Sequence, residues 1–143
     1  GEVVKVQAFD THQVMHEKVE NCDVADAATA NLVFENGAVG NISNTCMLEG
    51  WGQSSCRVMA EAFTLNILWG TLTWNSPEDS GEYQVQEDGY TGEDVAFINA
   101  VKTGDRSAIY SDYADAYKTL AVTDAVNKSA AAGGAVIDVA DVM

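Results

Sequence analysis

Two histidines near the start of the chain have a spacing that could bind a metal. His12 and His16 stand four positions apart, and Glu17 follows at once. Residues four apart share one face of a helix, so this spacing suits zinc only if the segment is helical. The flanking residues are polar and typical of a loop, and no third ligand is obvious. We therefore interpret both histidines as surface residues and expect no metal site.

A G-x-x-G formed by Gly37 and Gly40 could cradle a phosphate or mark the turn of a β-hairpin. Phosphate loops are followed by a helix whose N-terminal amides face the anion, and no helix is predicted here. The hairpin is favoured because a three-residue loop over 35–37 sorts the flanking strands into an apolar and a polar face. Gly37 then takes the left-handed conformation, and Gly40 lies in the return strand, where a neighbouring side chain can approach closely.

The polar face of this hairpin carries no charged side chain. A solvent face usually carries Lys and Glu, whereas an uncharged face can pack against another sheet without burying charge. We therefore predict that this face is an oligomer interface, and an ordinary solvent-exposed face remains the alternative. The residues of the predicted interface are Thr29, Asn31, Val33, Val39, Asn41, Ser43 and Thr45.

Two aromatic residues near glycines are candidates for binding a substrate. Trp51 stands between Gly50 and Gly52, and Tyr90 comes just ahead of a predicted helix. Loops carry binding residues more often than the elements that they connect, and an aromatic side chain there has little else to pack on. We predict a substrate contact for Trp51 and for Tyr90, with simple surface exposure as the alternative for each.

Composition limits the partners of the protein. The chain has 143 residues, of which 47% are hydrophobic, as expected of a single globular domain. Its 22 acidic and seven basic residues give a net charge of −15. Nucleic acid and anionic membranes need clusters of Lys and Arg, so we expect neither as a partner. The three cysteines lack metal-ligand spacing and suit a reducing cytosol, which predicts a cytoplasmic protein.

The elements that would position these residues are mainly strands in the first part of the chain and helices in the last. Alternation predicts strands over 3–9, 63–69, 72–74, 82–86 and 135–139 and on both sides of the hairpin turn. Thr91 is predicted to cap a helix that ends at Thr103, and Ser111 a longer one to about Ala131. Their predicted buried sides are Phe97, Ala100 and Val101 in the former, and Tyr113, Ala116, Tyr117, Leu120, Ala121 and Ala125 in the latter.

These elements predict an α+β fold with an open, mostly antiparallel sheet. The sheet would contain about five or six strands, and the two main helices would pack on one of its faces. The hairpin's uncharged face would then lie on the open side of the sheet and be free to contact a second subunit.

Several stretches, taken in order, resemble a known family. They are "GEVVKVQAF", "DVADAATANLVFENGAVGNIS", "AEAFTLNI" and the long run from Glu93 to Gly134. Together they resemble the C-terminal domain of the glucose–fructose oxidoreductase, inositol dehydrogenase and rhizopine-catabolism (Gfo/Idh/MocA) family. The most specific matches are Phe97-Ile98, Ala100-Val101, Thr103-Gly104-Asp105, Asp115-Ala116 and Ser129-Ala130.

This resemblance implies a function. Members join an N-terminal Rossmann domain, which binds NAD or NADP, to a C-terminal α+β domain of the dehydrogenase type. They transfer hydride reversibly between the nicotinamide and a sugar, polyol or related hydroxyl compound. The open face of the sheet commonly forms the contact between subunits, which agrees with the interface predicted from the hairpin.

The chain also departs from the family pattern. The family's catalytic lysine lies in a Glu-Lys-Pro tripeptide, and its Asp and His pair precedes the strand that begins here at Val3; neither motif is present. We therefore expect residues 1–143 to be a single C-terminal substrate and oligomerisation domain without its Rossmann domain. No catalytic and no cofactor-binding residue is assigned to it. A non-enzymatic binding or assembly module of the same fold is the alternative, and a stand-alone lyase or isomerase is less favoured.

Overall fold

The computed structural model describes residues 1–48, 50, 52, 54–86 and 88–143. Helices follow most of the strands along the chain, as predicted, and a 3₁₀ turn over Val139–Asp141 comes last. The helices are α1 (Met15–Lys18), α2 (Gly89–Thr103) and α3 (Tyr113–Ala131). The strands are β1 (Val3–Thr11), β2 (Ala27–Phe34), β3 (Val39–Thr45), β4 (Ser55–Ala60), β5 (Phe63–Leu68), β6 (Thr71–Asn75), β7 (Ser80–Gln84) and β8 (Ile137–Asp138).

The chain forms two compact units, each with its own sheet. The first unit consists of residues 1–49 and 111–143, and its strand order is β3-β2-β1-β8. The second unit consists of residues 50–110, and its strand order is β4-β5-β6-β7. All described pairings are antiparallel, so the predicted α+β class with antiparallel strands is confirmed.

The prediction of one sheet with five or six strands is wrong, because the described strands divide between two four-stranded sheets. One missed strand is β4, which turns into β5 at Glu61 and Ala62. Ala62 has a φ of 56°, a conformation that usually selects glycine. Since neither glycine nor proline marks this turn, the sequence pattern does not reveal it.

The register predicted for the β2–β3 hairpin is confirmed. Leu32 pairs with Gly40, and the amide of Phe34 donates to the carbonyl oxygen of Ala38 at 2.9 Å. Gly37 has a φ of 86°, as the three-residue loop requires. A Cβ on Gly40 would lie 3.3 Å from the ring of Phe34, so this glycine does allow a close approach.

The core of the first unit lies between its sheet and α3. Small residues of the helix face the sheet, which lets the two elements approach closely. Ser129 fastens them together: its Oγ accepts a hydrogen bond from the amide of Ala8 at 2.8 Å and donates to the carbonyl oxygen of Ala135 at 2.6 Å. The buried hydrophobic residues are Val6, Ala8, Ala30, Leu32, Ala121, Ala125 and Val139.

Both long helices begin at an aspartate and not at the predicted caps Thr91 and Ser111. The side chain of Asp88 accepts from the amide of Thr91 at 3.1 Å and caps α2. Asp112 caps α3 and accepts from the amide of Asp115 at 3.0 Å. The hydrogen bonds from Thr91 lower the pKa of Asp88. Asp, Ser and Thr are all good caps, so neighbouring candidates cannot be ranked by residue type alone.

The buried side predicted for α2 is wrong, and the one predicted for α3 is confirmed only at Ala121 and Ala125. None of the described residues of α2 is buried, and Phe97 is 64% exposed. In α3 the buried residues are Ala121, Ala125 and Ser129, whereas Tyr113 is 95% exposed. A helical wheel shows which side chains are apolar but not which of them the sheet can accommodate. Here the sheet contacts the small ones.

A buried carboxylate holds the turn before α1. Asp26 is 1% exposed and accepts hydrogen bonds from the amides of Gln13, Val14 and Met15. Burial by itself raises the pKa of Asp26, but the three amide hydrogen bonds outweigh it and lower the pKa overall. The carboxylate of Asp26 therefore supplies the hydrogen-bond acceptors that the amides of this irregular segment would otherwise lack.

Candidate functional site

All residues of the predicted interface lie on one exposed face of the first sheet. The register pairs Thr29 with Ser43 and Asn31 with Asn41 across β2 and β3. Thr45 pairs with Ala27 at the end of the same ladder. The exposed residues on this face are Thr29, Asn31, Val33, Val39, Asn41, Ser43 and Thr45. The structure thus brings the predicted residues together, while their contact with another subunit stays a prediction.

The polar side chains of this face bond to one another. Asn41 Nδ2 donates to Thr29 Oγ1 at 3.3 Å and to Asn31 Oδ1 at 3.0 Å. Ser43 Oγ donates to Asn41 Oδ1 at 3.1 Å and lies 3.1 Å from Thr29 Oγ1. Side chains that already have partners lose less when they are removed from water than unpaired ones would. This network therefore lowers the cost of covering the face.

Strand β1 extends the same face with two residues that the sequence analysis omitted, Gln7 and Phe9. Gln7 Nε2 donates to the carbonyl oxygen of Gly134 at 3.0 Å, and the ring of Phe9 occupies the space that a Cβ on Gly134 would need. Alternation along β1 placed Gln7 and Phe9 on one face of that strand, but only the pairing of β1 with β2 shows that they share the face of the hairpin. Charge appears at the far edge, where Lys5 Nζ lies 3.3 Å from Asp138 Oδ1.

Of the two residues predicted to bind a substrate, Tyr90 is among the described residues. Tyr90 lies in the first turn of α2 and is 81% exposed. Trp51 lies outside the described residues. Tyr90 is therefore accessible to a ligand, and beside it the amide and the hydroxyl of Thr91 donate to Asp88 Oδ2 at 3.1 and 2.9 Å.

A cleft of about 720 Å³ opens in the first unit, where the sequence analysis predicted no site. Lys118 Nζ lies 2.7 Å from Glu2 Oε1 at this cleft, and the hydrogen bond to Glu2 raises the pKa of Lys118. The volume is within the range of small-molecule sites. Its apolar lining consists of Val3, Val4, Val122, Val139, Ala140 and Met143.

The histidines do not share a helix face. His12 precedes α1, and its Nε2 lies 3.5 Å from Asp10 Oδ2, whereas His16 is within α1. In the part of the chain that the structure describes, no group of three His, Cys, Asp or Glu side chains could hold a metal ion. None of the described helices is long and apolar enough to cross a membrane.

Comparisons with solved structures agree on the fold of the chain. A comparison with family models found no match. An uncharacterized protein of Schizosaccharomyces pombe is 31% identical over 110 residues, and the match covers 70% of this chain and 27% of that protein. An oxidoreductase from Thermotoga maritima is 24% identical, with a TM-score of 0.74 over 100% of this chain and 40% of the other.

Two further structures contain bound ligands. An oxidoreductase from Agrobacterium radiobacter, solved with NAD+, L-tartaric acid and magnesium, is 17% identical, with a TM-score of 0.76 over 100% of this chain and 45% of the other. Levoglucosan dehydrogenase, solved with NADH and L-sorbose, is 20% identical, with a TM-score of 0.76 over 97% and 45%. The chain spans less than half of each of these structures. It has the fold of the C-terminal domain of Gfo/Idh/MocA-type oxidoreductases, as the resemblance of its sequence implied.

Proposed function

We propose that this chain is the C-terminal substrate and oligomerisation domain of an NAD(P)-dependent oxidoreductase. The parent enzyme would act on a CH–OH group of a sugar, polyol or related compound. The observation that carries the proposal is the match of 97–100% of the chain to oxidoreductases and a dehydrogenase. Two of these were solved with NAD+ or NADH, and one with L-sorbose. Because the chain spans less than half of each, activity belongs to the parent protein.

The described residues do not fit a dinucleotide. Dinucleotide phosphates bind at a helix N-terminus that follows a parallel strand and a glycine-rich turn. Here the described strand pairings are antiparallel, and Asp88 and Asp112 already accept from amides at the starts of α2 and α3. Their carboxylates would repel a pyrophosphate. We therefore assign NAD or NADP to a separate Rossmann domain and no catalytic step to residues 1–143.

The coding sequence upstream of Gly1 tests this assignment. We expect a G-x-G-x-x-G unit followed by a Glu-Lys-Pro tripeptide. If neither precedes Gly1, the alternative of a non-enzymatic binding or assembly module is favoured. Isothermal titration of the 143-residue chain with NAD+ and NADP+ should give no binding heat. Micromolar affinity would contradict the assignment of the cofactor to a separate Rossmann domain. A cytoplasmic location stays a prediction.

A role in substrate binding is proposed for Tyr90 and Trp51. The support for Tyr90 is its exposed ring on the first turn of a helix. In the parent enzyme, Tyr90→Ala should raise KM for the polyol substrate about tenfold and change kcat less, since stacking on a sugar ring binds ground and transition states alike. Tyr90→Phe keeps the ring and is the matched control. An unchanged KM in Tyr90→Ala would remove this residue from the site.

The uncharged face of the first sheet is proposed as the contact between subunits. Two variants test it by light scattering. Thr29→Lys with Ser43→Lys places two charges on the face and should lower the mass of the oligomer, because buried unpaired charges are costly. Thr123→Lys with Asn127→Lys adds the same charge to an exposed side of α3 and should leave the mass unchanged. An oligomer that keeps its mass in the first variant has its interface elsewhere.

A further inference from the structure

The turn of the β2–β3 hairpin contains a pair of residues that can react with each other. Asn36 is followed by Gly37, a pair that occurs nowhere else in the sequence, and both residues are exposed. Glycine has no Cβ to hinder the approach of its amide nitrogen to the side chain before it. The pair is therefore the place in the chain where an asparagine side chain is most open to attack by its own backbone.

The reaction needs no partner other than water. The amide nitrogen of Gly37 forms a bond to Cγ of Asn36, the bond from Cγ to Nδ2 breaks, and the nitrogen leaves as ammonia with the proton of the Gly37 amide. Water then opens the resulting five-membered succinimide ring at one of its two carbonyl carbons. The product at position 36 is aspartate or isoaspartate, in which the main chain runs through the side-chain carbon.

The closed turn holds both reacting groups. The amide of Gly37 donates to the carbonyl oxygen of Phe34 at 2.9 Å, so its proton is bound within the turn. Asn36 Oδ1 accepts from the amide of Ala38 at 3.1 Å, which ties the side chain to the residue beyond the glycine. Attack requires the peptide plane between Asn36 and Gly37 to turn toward Cγ. The hydrogen bonds of the hairpin prevent this rotation while they are intact.

The N-terminal segment packs against the same side chain. A Cβ on Gly1 would lie 3.6 Å from both Cγ and Nδ2 of Asn36. The amide of Glu35 donates to the carbonyl oxygen of Glu2 at 2.9 Å, and Glu2 Oε1 in turn lies 2.7 Å from Lys118 Nζ on α3. These contacts connect the turn to the helix, so they oppose its opening.

We propose that Asn36 is a modification site controlled by the fold: it is converted to aspartate or isoaspartate when the turn opens, and the closed turn, held by the N-terminal segment, blocks the reaction. Isoaspartate lengthens the main chain by one methylene within a three-residue loop and adds a negative charge beside Glu35. The lengthened loop cannot keep the register that pairs Leu32 with Gly40. The modification therefore prevents the hairpin from closing in its original form. This inference goes beyond the proposed function and does not depend on it.

The rate of modification tests the control by the fold. The native 143-residue chain and the same chain unfolded in urea are incubated in one mildly alkaline buffer, and isoaspartate is measured with protein isoaspartyl methyltransferase and located by mass spectrometry. Reaction at Asn36 should be at least about tenfold slower in the native chain, because the turn must first open. Asn36→Gln should abolish the signal at this position in both states. Equal rates in the native and unfolded chains would overturn the proposal.

A second pair of variants tests the part played by the N-terminal segment. Lys118→Ala removes the ion pair with Glu2 and should speed the native reaction at Asn36 about two- to fivefold, without changing the rate in urea. Lys128→Ala removes the ion pair with Asp124 from the same helix and should leave both rates unaltered. If the native rate is the same in Lys118→Ala as in the wild type, the N-terminal segment does not hold the turn.

The effect of the product on the hairpin is measured on the purified isoaspartate form. Asn36→Asp is the matched control, because it has the added charge but a main chain of normal length. The isoaspartate form should unfold at a lower urea concentration than Asn36→Asp, since only its loop is too long for the register. Equal urea midpoints would show that the hairpin accommodates the extra methylene, which contradicts the predicted consequence.

Discussion

Replacing the hydroxyl of Ser129 should destabilise the first unit more than its size suggests. Ser129→Ala removes one oxygen atom from a fully buried position in α3. That oxygen makes both hydrogen bonds that connect the helix to Ala8 in β1 and to Ala135 before β8. The variant keeps the helix-forming tendency, because Ala is the best helix former. Any loss of stability therefore reports these tertiary hydrogen bonds.

The magnitude follows from what each partner loses. Ala8 is itself fully buried, so its amide is left without an acceptor at a cost of about 1–3 kcal/mol. The lost hydrogen bond to Ala135 adds about 1 kcal/mol. We expect the free energy of unfolding to fall by roughly 2–4 kcal/mol, a large part of the ~5–15 kcal/mol typical of a domain. Thr123→Ala removes an exposed hydroxyl from the same helix and should change stability by no more than about 0.5 kcal/mol.

The assay can separate the two units of the chain. Trp51, Trp69 and Trp74 all lie within residues 50–110, so tryptophan fluorescence reports the second unit. Urea unfolding followed by circular dichroism should show the loss of α3 at a lower urea concentration in Ser129→Ala, and the Ala8 amide should exchange faster with solvent. A stability within 0.5 kcal/mol of the wild type, or an Ala8 amide with unchanged protection, would refute the reasoning.

Two other predictions concern a packed glycine and a buried carboxylate. Gly81→Ala would place a Cβ inside the indole of Trp74, so it should lower the free energy of unfolding by about 1–3 kcal/mol and shift tryptophan emission. The control Gly92→Ala meets open space within α2 and should raise the free energy of unfolding by about 0.5–1 kcal/mol. Equal effects of the two would disprove the overlap. Asp26→Asn should lower the urea midpoint at pH 7, and the difference in stability from the wild type should shrink as the pH falls toward 3. The pKa of Asp26 is lower in the folded than in the unfolded protein, so the ionised carboxylate stabilises the fold above the ordinary carboxyl pKa. This stabilisation is lost when the carboxylate is protonated on acidification. Asp23→Asn, an exposed neighbour, should show neither effect, and a deficit of Asp26→Asn that does not vary with pH would contradict the assignment.

The parts of the fold that sequence predicted correctly depend on local alternation. The β2–β3 register follows from a period of two and one turn glycine, Gly37, so a short stretch of sequence contains all that it needs. The turn at Ala62 has no such mark, and the strand before it was missed. The buried side of α3 was predicted correctly at Ala121 and Ala125 but also included Tyr113, because all three residues look apolar on a helical wheel. Only the distance between helix and sheet decides which of them fits.

The candidate site divides in the same way. The exposed face with Thr29 and Ser43 was predicted because its residues alternate along two neighbouring strands. Gln7 and Phe9 belong to it through β1, whose pairing with β2 spans many residues and is not a local property. Tyr90 was predicted as a substrate contact because it is an aromatic residue near glycines. This pattern indicates that a side chain is exposed, but it does not indicate whether other binding residues lie near it.

The order of the two units along the chain has a consequence for biosynthesis. The second unit is continuous in sequence, whereas the first is completed only when β8 pairs with β1, at Lys5 with Asp138. During translation, residues 50–110 can therefore finish their sheet while β1 still has an open edge. An unpaired edge can recruit strands from other chains. Nascent chains whose translation stops before Asp138 should therefore aggregate more readily and depend more on chaperones than the complete chain.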